Sequence, residues 1–120
     1  MKELMLLKVP TAGEIMTTVR LATGGLGSLT GLGLEESEDC KVCVTESLLL
    51  LRHAGYLAAS INFCEDDGLF VCIMGEGEIV NPAPMPEDEI SAALLEALAA
   101  DVKTEKREGA LYRVSFRFAR

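Results

Sequence analysis

The residues best equipped for chemistry fall in one stretch. Cys40 and Cys43 form a C-x-x-C, Glu46 follows three residues on, and His53, the only histidine, lies seven further along. A C-x-x-C can hold zinc or carry thiol–disulfide chemistry. Zinc needs a second matching pair, and the other cysteines, Cys64 and Cys72, belong to apolar, strand-like segments. A thioredoxin-type motif belongs at the end of a strand, whereas Cys40 and Cys43 sit inside a helical pattern. The expectation is four reduced thiols packed as small hydrophobes. Arg52 and His53 close the same helical pattern just before Gly55, where positive charge complements the helix dipole. That is the plain reading of His53.

A second candidate is the glycine cluster Gly24-Gly25-Leu26-Gly27, followed by Gly31 and Gly33. A phosphate-binding loop needs a preceding strand and either a lysine or a following helix start. Here the helical spacing of Ile15, Val19, Ala22 and Leu26 comes first, and no lysine follows. Glycines inside a helix cost stability, so they imply either close helix packing or fraying ahead of a loop at Gly31–Gly33.

The elements that must position these residues are legible in outline. Leu4–Val9 reads as a strand ended by Pro10. Thr11 and Glu14 have the spacing of a capping box opening the first helix. Ser37 or Asp39 is the expected cap of a second helix running to Ala54, with Gly55 as its left-handed terminator. Leu57–Cys64 and Leu69–Met74 are strands joined by the turn Glu65-Asp66-Asp67-Gly68. The prolines of Asn81–Pro86 enforce an extended loop. Glu87–Ala100 is a helix, and Val102–Glu105 and Leu111–Phe118 form a closing hairpin around Glu108-Gly109. In the last strand Val114, Phe116 and Phe118 alternate with Ser115 and Arg117, so one face is buried. The order implies an α+β two-layer sandwich, a mostly antiparallel sheet with helices on one face, as one domain over residues 1–120.

Bulk composition narrows the function classes. The net charge of −8 disfavours nucleic acid and points to a protein partner, a basic one most readily. No apolar run approaches a membrane span. The start, Met1 to Leu7, is too soon interrupted by charge for a signal peptide, so the expected location is cytoplasmic.

The order of elements and several segments resemble the histidine-kinase-like ATPase (GHKL) superfamily, in particular its bacterial anti-sigma-factor serine-kinase branch. VPTAGEIMTTVRLATGGLGSLTGL is similar to the first helix of that branch, with Arg20 after a hydroxyl-rich turn. EDCKVCVTESLLLLRHAGY is similar to its second helix, LFVCIMGEGEIVNP to the strand entering its Asp-x-Gly-x-Gly turn, and LLEALAADVKTEKREGALYRVSFRF to its last helix and hairpin. In such a site a glutamate activates the attacking group, an asparagine holds Mg²⁺, an aspartate bonds the adenine amino group, and a glycine-rich lid wraps the phosphates.

Carried over residue by residue, the resemblance implies a site stripped of its chemistry. Glu46 takes the glutamate position as a vestigial catalytic residue. The asparagine position falls on Leu50, or on Leu49 if the helix is aligned on His53, and neither can bind a metal. Gly75 and Gly77 fit the turn as nucleotide-binding remnants, but the aspartate position is Ile73. No glycine lies between Gly77 and the last helix, so the lid is missing. Asn62, in a strand, and Asn81, in the loop, do not stand in for the metal ligand.

The resemblance therefore implies a regulator that acts by protein–protein binding, with no cofactor and no resident metal. Its partner would be a sigma factor or an anti-sigma antagonist contacted near Arg20. The alternative is an ATP- and Mg-dependent serine/threonine kinase. A third possibility is another small ligand in a pocket lined by Leu49, Leu50, Ile73 and Met74, residues that otherwise simply fill the core. A homodimer would use Leu111–Phe118 as a sheet edge.

Overall fold

The computed structural model describes residues 1–120 and has an α+β architecture. Five strands, β1 (Lys2–Pro10), β2 (Ala58–Glu65), β3 (Gly68–Glu76), β4 (Ala100–Arg107) and β5 (Ala110–Ala119), form one sheet. Their order is β1-β2-β3-β5-β4, and every neighbouring pair is antiparallel, not merely most of them. The helices are α1 (Met16–Leu29), α2 (Leu34–His53) and α3 (Asp88–Leu98), with a 3-10 turn at Gly13–Ile15. No helix is long and apolar enough to cross a membrane.

Alternation along the strands gives the sheet two unlike faces. On one, Ile61, Ile73 and Val114 stand side by side in register, next to Phe63, Val71 and Phe116. All six are fully buried with Val44, Leu48 and Leu51 of α2 in a single core. The opposite face carries no helix. Across it run two rows of paired residues, Lys8-Ser60-Met74-Arg113-Glu105 and Leu6-Asn62-Cys72-Ser115-Lys103.

Local chemistry explains the helix ends, with corrections. Thr11 does not cap α1. Its hydroxyl donates to the Tyr56 carbonyl at 2.8 Å, and the 3-10 turn begins after Ala12 with no side-chain cap. A long-range acceptor competes successfully because Thr11 is buried. Neither Ser37 nor Asp39 caps α2, which starts at Leu34 behind Gly33, one turn earlier than expected. The C-terminus follows expectation. Gly55, at φ +106, lets its own N–H reach Arg52 O while Tyr56 N–H reaches Leu51 O, both at 3.0 Å. This is the Schellman arrangement, and Gly31 and Leu32 repeat it at the end of α1. Helix α3 stops at Leu98 and β4 begins at Ala100, two residues earlier than expected, with Asp101 at φ 52 beside an irregularity in the β4–β5 pairing.

The glycine cluster lies inside α1, so its amides serve the helix and form no phosphate loop. The helix runs unbroken through the cluster, so it does not fray, and close packing accounts for Gly27. A Cβ at Gly24 would come within 2.8 Å of Lys41 Cε, and one at Gly27 within 2.6 Å of Ser37 Oγ, both on α2. Strand β5 lies between β3 and β4, so Leu111–Phe118 is not an edge, and the dimer contact expected there has no free backbone to use. The free edges belong to β1 and β4.

Candidate functional site

The residues singled out on α2 face α3 and the loop that precedes it. Glu46 is half-buried, and its Oε2 accepts the Ser91 hydroxyl of α3 at 2.6 Å. Two turns on, His53 Nδ1 and Asp88 Oδ1 are 2.6 Å apart, and Asp88 Oδ2 accepts the Met85 amide at 3.0 Å. The His53 carbonyl accepts the Ala83 amide at 2.9 Å, and the Gly55 carbonyl accepts Val80 N–H at 2.8 Å. The proline-rich loop is thus fastened to the C-terminal end of α2 by two backbone bonds, and through Asp88 to the start of α3. His53 is more than a dipole complement, because it joins α2 to the first residue of α3.

Between these elements and the β4–β5 turn is an open cleft of about 500 Å³. Leu50, His53, Pro82, Pro84, Asp88 and Lys106 contribute to its walls. Leu50 therefore presents methyl groups where the resemblance places a metal ligand, and nothing in leucine can coordinate a cation. Ile73 does not open onto this cleft. It is fully buried between Ile61 and Val114.

The pocket expected from Leu49, Leu50, Ile73 and Met74 does not form. Leu50 lines the cleft, Ile73 lies in the core, and Met74 lines a separate hollow on the opposite face of the sheet. Period-two alternation separates Ile73 from Met74, since adjacent residues of a strand point to opposite faces.

The two glycines differ in role. A Cβ at Gly75 would sit 2.5 Å from the ring of Tyr56, so the missing side chain makes room for a buried aromatic. Gly77 meets nothing within 4 Å but holds φ +83, so it serves as a turn residue. Arg20 is half-buried on α1, away from the cleft. Across the helix pair it adds to the effect of Lys41, whose hydrogen bond and charge hold the Glu38 carboxyl below its usual range.

The cysteines are free. Cys40 and Cys43 are wholly buried in the core. Desolvation, with a smaller push from Asp39 and Glu46, raises the Cys43 thiol to about 12, and desolvation raises Cys40 as well. Both are inert thiols at neutral pH. Tyr56, Asp88, Ser91 and Lys106 were not legible as site residues. Asp88 reads locally as an acid at a helix start, and nothing local signals a partner 35 residues away.

In comparison with known proteins, no family model matches the chain, and no curated protein matches it. The fold and the cleft define an α+β protein of two layers whose most distinctive site is a loop-and-helix junction lined by apolar and oppositely charged side chains.

Proposed function

We propose that this chain is a regulatory protein on a histidine-kinase-like ATPase scaffold, related in design to bacterial anti-sigma factors and acting by binding another protein without phosphorylating it. The observation that carries the reading is Leu50, which lines the cleft between α2 and the loop before α3 with methyl groups. Three others support it. The element order is the one the resemblance implies. Ile73 buries the position of the adenine-binding aspartate, and the space over Gly75 is taken by the Tyr56 ring. The loop in the place of a lid is short, rich in proline and fastened to α2. Glu46 then works as an acceptor that joins α2 to α3.

The partner class is a sigma factor or an anti-sigma antagonist in the cytoplasm, approaching the α1 surface that carries Arg20. Neither nucleic acid nor membrane is a partner on this reading, and no cofactor is required. A thermal-shift titration with Mg-ATP and Mg-ADP tests it. A ligand at a hundred times its Kd stabilises by about 2.7 kcal/mol, which moves the Tm by several degrees. No shift is expected. A clear shift, with phosphate transfer to a serine of a sigma antagonist, would establish the kinase alternative instead.

A further inference from the structure

Three rows of paired residues cross the uncovered face of the sheet. They are Lys8-Ser60-Met74-Arg113-Glu105, Leu6-Asn62-Cys72-Ser115-Lys103 and Glu3-Cys64-Phe70-Arg117-Ala100. Strand β3 is the middle one of five, and its Met74, Cys72 and Phe70 form a half-buried apolar midline. Leu6, 51% exposed, lies to one side of it. Strands about 4.8 Å apart and rows about 6.8 Å apart make this a patch of roughly 500 Å² in projection. Two such patches laid together reach the roughly 1,000 Å² that a specific interface needs.

Charge separates this face from the rest of the molecule. The chain carries −8 overall, and the first turns of α2 and α3 hold Glu35, Glu36, Asp88 and Glu89. Two copies repel each other there. On the uncovered face, Lys8, Lys103, Arg113 and Arg117 stand among Glu3, Glu76 and Glu105, with Asp66 and Asp101 at the rim beside Arg117. The charges there are close to balance. Neither Lys8 nor Lys103 has an ion-pair partner in its own chain, and Glu105 has only a 3.4 Å contact with Arg113.

We propose that this face is the interface of a homodimer, in which two copies pack sheet against sheet about a two-fold axis running along β3 and Lys8 of each copy pairs with Glu105 of the other. A two-fold axis can bring the face against itself in two ways. With the axis across the strands, every strand lies over its own counterpart end for end. Lys8 then meets Glu3, but Arg113 meets Arg117 and Glu105 meets Asp101. With the axis along β3, β1 lies over β4 and β2 over β5, and each row lies over itself. Lys8 then meets Glu105 twice, Ser60 meets Arg113, Asn62 meets Ser115, and the midline residues Phe70, Cys72 and Met74 meet their own counterparts. Within the three rows no like charges meet; Glu76 meets its counterpart beyond them, at the end of β3. Like charges across an interface suppress the wrong arrangement, so the axis along β3 is the one selected. Sheets packed face to face in this way lie about 10 Å apart with their strands nearly aligned. This inference does not depend on the regulatory reading.

Sedimentation equilibrium of the reduced chain tests the proposal, with circular dichroism to check that each variant is folded. The expected mass is twice the 12.9 kDa of one chain. Lys8→Glu and Glu105→Lys, each alone, should raise the dimer dissociation constant about tenfold by placing like charges across both pairs. Mixing the two single variants in equal amounts should restore the dimer, because each copy then supplies the charge the other needs. The double variant should restore it as well. Met74→Lys, which sets two like charges on the axis, should leave a monomer. A chain that stays monomeric at hundred-micromolar concentration would overturn the proposal. So would a dimer that Met74→Lys does not weaken, which would place the contact on another surface, or a mixture of the two single variants that gains no dimer.

Discussion

Gly75 and Gly77 are two residues apart and do opposite things. At Gly75 any side chain must displace the ring of Tyr56, which is buried in the core. Gly75→Ala should therefore destabilise the fold by about 1–3 kcal/mol, as overpacking does, and Tyr56→Leu should relieve part of that loss in a double-mutant cycle read by urea unfolding. At Gly77 the space is open, so Ala meets only the strain of φ +83, about 1 kcal/mol. Equal losses at the two positions would contradict the packing described for Tyr56. Glu46 offers a further test at this scale. Ser91→Ala removes its one side-chain donor and should cost about 1 kcal/mol in stability. The buried thiols set an alkaline limit. Their folded pKa values lie above the unfolded one, so the folded state resists ionisation while the unfolded state does not. The contribution is intact below about pH 8.5 and is lost as pH climbs toward the value near 12 of Cys43. Urea midpoints should fall between pH 8 and pH 10.5, and less steeply in a Cys40→Ala/Cys43→Ala variant.

Among the elements, α1 and α2 show how a helix can keep residues that weaken it. Each of Gly24, Gly25 and Gly27 forgoes helix propensity relative to alanine. Gly27 does so where the Ser37 side chain of α2 leaves no room for a Cβ, whereas only the flexible end of Lys41 lies near Gly24 and nothing lies within 4 Å of Gly25. Gly25→Ala should therefore stabilise the protein by about 0.5–1 kcal/mol, and Gly27→Val should destabilise it by forcing α1 from Ser37. Chemical denaturation of both variants separates a packing constraint from a propensity effect. Helix α3 and its preceding loop depend on another kind of constraint. The pairing of His53 with Asp88 and the two backbone bonds to the loop place α3 against α2, so the cleft keeps its walls only while that junction holds.

At the scale of the whole molecule, one core joins α2 to β2, β3 and β5, with Leu95 of α3 and Val19 of α1 in the same cluster. Unfolding followed by far-UV circular dichroism and by tyrosine fluorescence should give a single coincident transition, as elements sharing one core unfold together. Much of this architecture was legible in residue order. Alternation in Leu111–Phe118, the run of prolines and the left-handed Gly55 are local patterns, and local backbone sterics and periodic burial determined strands, loop and helix end. That leucine and isoleucine offer neither a metal ligand nor a hydrogen-bond acceptor at Leu50 and Ile73 likewise follows from side-chain chemistry alone. Tertiary structure alone decided what lies between residues far apart in the chain. It sent the Thr11 hydroxyl to Tyr56 instead of a helix cap, set His53 against Asp88, placed β5 inside the sheet instead of at its edge, and split Ile73 from Met74 onto opposite faces of one strand. Those outcomes depend on which partner is nearest after the chain has closed on itself, and no spacing within a single element encodes that.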